Sequence, residues 1–227
     1  LAMYSFIRKQ ELDVLEDLEA SQKSEWLYVR GRRRVGKTWL LKEFQSASPK
    51  SRFYFSGTKG TRLSIRLKNF VKEWDRFTGQ AHLSNFVASA LDWPLIFREI
   101  GLYAKKRKKS VVLLFDEIQW LAGGGDSFAS DLKTAWAEWQ KEGKIKTIVC
   151  GSSSKFFKQN TGGADKVLRG LQTLPHLWIH PLPPAQVKEH CFKKWSLAEA
   201  TLVYMMTGGV PYYLERIIGQ KGFVHAV

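Results

Sequence analysis

Eight consecutive residues, Gly31-Arg32-Arg33-Arg34-Val35-Gly36-Lys37-Thr38, satisfy the pattern G-x-x-x-x-G-K-[ST] in full. Before them the run Trp26-Leu27-Tyr28-Val29 reads as a strand, and after them Thr38 to Gln45 reads as a helix that the Ser46-Ala47-Ser48-Pro49 loop stops. A strand, a glycine-bearing loop and a helix in that order have a specific chemical use. Glycine admits backbone angles that let successive N–H groups turn inward around phosphate oxygens at a helix N-terminus. Lys37 is placed to neutralise the β and γ phosphates of a nucleoside triphosphate, and Thr38 to offer its hydroxyl to magnesium. The alternative is a strand-to-helix turn that holds nothing.

The rest of the chain alternates strand and helix signals. A short amphipathic helix is predicted through Phe6, Leu12, Leu15 and Leu18, before the polar break at Ser21 to Glu25. Phe53-Tyr54-Phe55 reads as a second strand, followed by a helix from Leu63 to Phe77 and another that begins at Trp93-Pro94 and runs to the lysine cluster Lys105–Lys109. Val111 to Phe115 is apolar without alternation, the pattern of a strand covered on both faces. Beyond the Gly123-Gly124-Gly125 loop, a helix is expected over Ala129 to Lys141 and a strand over Thr147 to Cys150. A helix over Ser153 to Gln159, a Gly162-Gly163 loop and a last strand from Leu177 to His180 follow. After Pro181-Leu182-Pro183-Pro184 the chain reads as helix only, over Pro184 to Lys194, Leu197 to Thr207 and Tyr212 to Ile218. Alternation of this kind predicts an α/β fold with a mostly parallel sheet between helical layers.

Composition closes off several classes. The 227 residues are 44% hydrophobic with nine Trp, enough to bury a core. Cys150 and Cys191 form no CxxC pair, so a disulfide framework and a structural zinc site are not expected. Apolar runs such as Val111 to Phe115 fall far short of the roughly 20 residues of a membrane helix. No signal-peptide pattern opens the chain, and the expected location is the cytoplasm, with no membrane partner. The net charge of +15 favours polyanions, whether nucleotide, nucleic acid or an acidic surface, although many basic chains carry only a solvated face.

The strand Val111 to Phe115 ends in Asp116-Glu117. A magnesium ion on phosphates needs a carboxylate, which Asp116 can supply from the end of a buried strand. Glu117 beside it is the candidate base that orients or deprotonates an attacking water. An acidic pair alone can equally be a strand exit or a helix cap. Cys150-Gly151-Ser152 closes the next strand, where Ser152 is either a sensor near the γ-phosphate or a helix N-cap, a role Ser153 also suits.

Taken together, GRRRVGKTWLLKEF, VVLLFDEIQWL, the CGSS strand exit, the PLPP turn and TGGVPYYLERI resemble the archaeal-type ATPase family, prokaryotic AAA-like proteins among the signal-transduction ATPases with numerous domains. The resemblance implies a P-loop three-layer sandwich with a five-stranded sheet over residues 1–182, in which the strand bearing Asp116 is not adjacent to the phosphate-loop strand. It implies a small helical lid over 183–227 and an effector region farther on that this chain lacks. It implies ATP and ADP with Mg2+ as ligands, nucleotide contacts that extend from Gly31 through Thr38 to Trp39, and Pro211 of Gly209-Val210-Pro211 reaching the nucleotide from the lid. That lid segment can also be a plain tight turn. Arg8 with Glu11-Leu12 matches the family's N-terminal nucleotide contact, with Ile7 departing from the small or polar residue common there. Arg169, in Leu168-Arg169-Gly170 where relatives carry Gly-Arg, is either a candidate γ-phosphate sensor or a solvated arginine. The expected function is a slow Mg-dependent ATPase that acts as a conformational switch, with nucleotide-dependent self-association. The alternative is a basic DNA-binding module in which nucleotide mainly stabilises the fold.

Overall fold

The structure is a computed structural model, and it describes residues 7–87, 90–122, 127–151 and 175–218. Five strands, β1 (Glu25–Gly31), β2 (Arg52–Ser56), β3 (Val111–Asp116), β4 (Ile145–Gly151) and β5 (His176–Ile179), form one sheet in the order β2-β3-β4-β1-β5. Every pairing among them is parallel, so the expected mostly parallel sheet is wholly parallel over the described strands. Strand β4 separates β3 from β1, as the resemblance implied. Parallel strands all deliver their carboxyl ends to one edge, and the loop after β1 and the acidic end of β3 therefore share it.

Alternation along the strands sorts side chains onto two faces. Trp26, Tyr28, Phe53, Val111, Leu113 and Phe115 point to one face and meet α3 (Leu63–Thr78), α4 (Trp93–Lys105) and α6 (Phe128–Trp139), with the single turn α5 (Ile118–Leu121) between strand and helix. The packing there is aromatic, with edge-to-face contacts such as Phe53–Trp74 at 5.0 Å and Trp93–Phe128 at 4.7 Å. Leu27, Val29, Val112, Leu114 and Ile148 point to the other face, against Leu15 of α1 (Lys9–Ala20) and Leu40, Leu41 and Phe44 of α2 (Lys37–Ala47). A chain with apolar residues on both sides of the sheet must be covered twice, and these helices cover it.

Local signals set the helix ends. Asp92 caps α4 by accepting a hydrogen bond from the Leu95 amide at 2.8 Å, with Pro94 in the first turn. The lysine cluster begins at the last residue of α4, where Lys105 pairs with Glu142 at 2.7 Å. Lys146 is buried within β4, and its ammonium donates to the Ser21 and Lys23 carbonyls, which satisfies the chain between α1 and β1.

After β5 the described chain is helical and gathers a small cluster in which Leu182, Val187, Val203 and Leu214 pack with Ile7. Helix α8 (Leu197–Thr207) starts in a Ser196–Glu199 capping box. Two expectations need correction. The helix expected over Pro184 to Lys194 is the short α7 (Pro184–Gln186) followed by a wider π-type turn, Val187–Cys191, and it ends before Lys194. The one expected over Tyr212 to Ile218 starts at Pro211 and keeps helical form only through Leu214 as α9, then passes into turns. Gly209 approaches the Leu182 carbonyl so closely that a Cβ would lie 2.0 Å from its oxygen, and the Leu182 amide donates to the Gly209 carbonyl at 2.8 Å. The expected Ser153–Gln159 helix, both glycine loops, Ser152 and Arg169 lie outside the described residues.

Candidate functional site

The turn from β1 into α2 carries the site. Gly36 has φ 97°, a left-handed angle that an L side chain would strain, and α2 begins immediately after it at Lys37. Arg34 also has positive φ, at 73°, one of two described non-glycine residues that do. Lys37 is buried, and its ammonium donates to the Gly31 and Arg32 carbonyls, both at 2.9 Å. Burial pushes the Lys37 ammonium below its ordinary range, an effect that the neighbouring acidic groups Glu117 and Asp116 oppose. An anion brought to this loop would oppose that downward shift in the same way.

A cavity of about 410 Å³ opens over this turn. Arg33, Arg34, Val35, Gly36, Lys37 and Thr38 form its floor, Arg8 and Trp39 lie to one side, and Glu117 faces it from the end of β3. Pro211, Tyr212 and Glu215 complete the wall from the C-terminal helices. The cavity therefore unites the predicted loop, the acidic pair's second member and the predicted lid residue. Gly31, Arg32 and Asp116 are not part of this lining.

Arg8 is 6% exposed, and its guanidinium is committed to the protein. It donates to Glu11 at 2.7 Å, to the Val35 carbonyl at 3.2 Å and to the His180 carbonyl at 2.6 Å. The arginine thereby ties the N-terminal segment, the phosphate-type loop and the end of β5 into one wall. Trp39 packs between the α1/α2 core and the C-terminal cluster, where an aromatic ring beside the cavity offers a flat apolar surface.

Asp116 is buried and held on both carboxylate oxygens. Its Oδ1 accepts the Glu117 amide at 2.8 Å and its Oδ2 accepts the Tyr54 hydroxyl at 2.9 Å. Burial, then the Asp116 charge, pushes the Tyr54 phenol up, so the hydroxyl stays a donor. Burial likewise pushes the Cys150 thiol well up, which keeps another negative charge away from Asp116. Glu117 adopts a left-handed backbone, φ 50° and ψ 47°, a conformation that costs a non-glycine residue about 1–3 kcal/mol and gathers at functional sites. The Gln119 amide donates to its carboxylate, while Gln119 Oε1 is buried without a hydrogen-bond partner. Tyr54 and Gln119 escaped the sequence reading. Tyr54 gave one usable signal, because a residue between Phe53 and Phe55 must face away from the aromatic core.

Oxygen donors suit magnesium, and this edge presents an exposed threonine hydroxyl at Thr38 together with Asp116 and Glu117. No group of three or more His, Cys, Asp or Glu among the described residues forms a cage of its own. A hydroxyl and a carboxylate that share an ion with phosphate oxygens fit this donor set.

Comparison with known proteins agrees with the geometry. A model of the ATPase domain predominantly from Archaea matches residues 6–217. The chain is 26% identical over 210 residues to the uncharacterised protein MJECL04 of Methanocaldococcus jannaschii, a match that covers 92% of this chain and 43% of that protein. This chain thus spans less than half of that relative. In fold it is similar to the Walker-type ATPase PABY2304 of Pyrococcus abyssi, with TM-score 0.71, 16% identity, and coverage of 96% of this chain and 69% of that one. It is also similar to the ORC2 protein of Aeropyrum pernix, determined in ADPNP and ADP complexes, with TM-score 0.62, 13% identity and coverage of 93% and 61%. A parallel five-stranded sheet, a strand–loop–helix turn over a cavity and a family match across nearly the whole sequence lead to one conclusion: this chain is a nucleotide-binding, ATPase-like protein and belongs to the ATPase domain family found predominantly in Archaea.

Proposed function

We propose that this domain binds ATP at Gly31–Thr38 and hydrolyses it slowly to ADP, with the helices after residue 183 acting as a lid whose position follows the nucleotide. The observation that carries the reading is the shared cavity, in which Lys37, Glu117 and Pro211 come from the loop, the sheet edge and the C-terminal helices. Backbone amides of the loop and Lys37 hold the phosphates, and Arg33 adds positive charge beside them. Thr38 and Asp116 would hold Mg2+, which supplies neutralisation of the phosphate oxygens when bound. Glu117 orients water and takes its proton, and the bond from Gln119 restrains that carboxylate. Tyr54 holds one oxygen of Asp116 by its hydroxyl and so restrains the carboxylate. Pro211 and Tyr212 close over the nucleotide, so exchange of ATP for ADP moves the lid and alters what it contacts, including a second copy of the chain.

Phosphate release with and without magnesium tests this reading. Wild type should release phosphate only with the metal, and Glu117→Gln should bind ATP with unchanged affinity while losing most turnover, at least 100-fold. Equal turnover by the two proteins would remove Glu117 from the mechanism.

A second reading draws on the net charge of +15. DNA is the polyanion concerned, and in that reading nucleotide mainly stabilises the fold. Part of the charge is already used beside the cavity by Arg33, Arg34 and Lys37, which favours the first reading.

A further inference from the structure

Arg34 stands where the backbone asks for glycine. Its φ of 73° is disfavoured for an L side chain, whose Cβ crowds the neighbouring carbonyl, so the loop's own geometry gives no reason for an arginine there. The reason lies across the cavity. The guanidinium Nη1 donates to the Tyr213 hydroxyl at 3.0 Å, and its central carbon sits 4.1 Å from the centre of the Tyr212 ring and 5.5 Å from that of Tyr213. The two rings meet edge to face at 5.4 Å, and Arg216 holds Tyr212 from its own segment, with its guanidinium carbon 4.2 Å from the ring and Nη2 donating to the Tyr212 hydroxyl at 2.5 Å. Both tyrosines belong to α9, which Pro211 opens at the cavity wall.

We infer that Tyr213 and Tyr212 are positioning residues for nucleotide binding, acting through Arg34, and that this pairing fastens the phosphate loop to the C-terminal helices. The inference rests on the proposed phosphate role of Gly31–Thr38. A guanidinium carries five donors in a plane, so its face can lie on an aromatic ring while its edge meets a phosphate oxygen. Tyr213 uses one of those donors. Held this way, Arg34 keeps its remaining donors in the cavity lining that it shares with Gly36 and Lys37 instead of sweeping through solvent, and less conformational freedom is lost when phosphate arrives. The coupling is reciprocal: tyrosines that favour phosphate binding are themselves docked more firmly when phosphate is bound. Glycine at position 34 would make the loop without strain and would remove this link to α9.

A double-mutant cycle on the affinity for a fluorescent ADP analogue tests the pairing. Tyr213→Phe removes only the hydroxyl. Arg34→Gly keeps a residue suited to φ 73° and supplies a background that lacks the guanidinium, and Arg34→Lys supplies a second background that keeps the charge. The expected result is that Tyr213→Phe weakens analogue binding about fivefold in the otherwise wild-type protein and less than twofold in both position-34 backgrounds. A merely structural tyrosine would instead lower the unfolding temperature of the nucleotide-free protein and weaken binding equally in all three proteins. That equality, or a Tyr213→Phe protein that binds as wild type does, overturns the inference while leaving the nucleotide site intact. Absence of binding by the wild-type chain itself overturns the proposed site and this pairing together.

Discussion

At the residue scale, the site is organised around a few polar side chains that burial leaves with few choices. Asp116 cannot reach bulk water, so its two oxygens accept from Glu117 N–H and Tyr54 O–H. Replacing Tyr54 with Phe leaves the ring in place and removes one of these donors. The carboxylate is then free to turn, and the expected outcome is a three- to tenfold increase in the magnesium concentration needed for half-maximal ATP binding, with binding in EDTA unchanged. A titration of nucleotide affinity against magnesium reads the difference; identical curves for the two proteins would show that Tyr54 does not orient Asp116. Sequence alone reached Asp116 and Glu117, since a carboxylate pair at the end of a buried strand is visible as such. It did not reach Tyr54 or Gln119, whose partners lie on another strand or depend on a left-handed backbone that no local pattern announces. Arg34 was legible as part of a loop and opaque as a link to Tyr213, 179 positions away.

At the scale of elements, the turn from β1 to α2 and the crossing of α9 over it decide what the cavity is. Strand and helix signals around Gly31–Thr38 were plain because the apolar run, the glycines and the helix former series follow one another without interruption. The C-terminal helices were less legible. Pro184 announced where α7 starts, whereas α9 was expected from Tyr212 and begins at Pro211; the π-type turn at Val187–Cys191 and the early end of α9 go with the packing of Val187 and Leu214 in one cluster with Leu182 and Ile7, which brings the two ends of the described chain together. Gly209 is the joint. With φ 68° and a Cβ position that overlaps the Leu182 carbonyl oxygen, Gly209→Ala must push the segment before α9 away from Leu182. The expected cost is about 2–4 kcal/mol in denaturant unfolding, accompanied by faster proteolytic cleavage after residue 183. Unchanged stability and unchanged cleavage would mean that the approach of Gly209 to Leu182 is not maintained in solution.

At the scale of the whole molecule, two apolar faces of one parallel sheet fix a three-layer architecture, and that architecture sends the loop after β1, the end of β3 and the C-terminal helices to one edge. No described helix is long and apolar enough to cross a membrane. The positive charge is the property that architecture leaves open. If the chain works as a nucleotide switch, any affinity for DNA should change on adding ATP; full affinity without nucleotide, falling steeply with salt, would favour the DNA-binding reading. The more direct measurement is calorimetric titration of ATP, with magnesium, into the wild-type chain and into Lys37→Ala. One binding event per chain is expected for wild type, and at least a 100-fold loss for the variant, whose fold should survive because, among the described residues, the Lys37 ammonium donates to carbonyls of its own loop, those of Gly31 and Arg32. Equal affinity in the two proteins would place the nucleotide somewhere other than the Gly31–Thr38 loop and contradict the account at its centre.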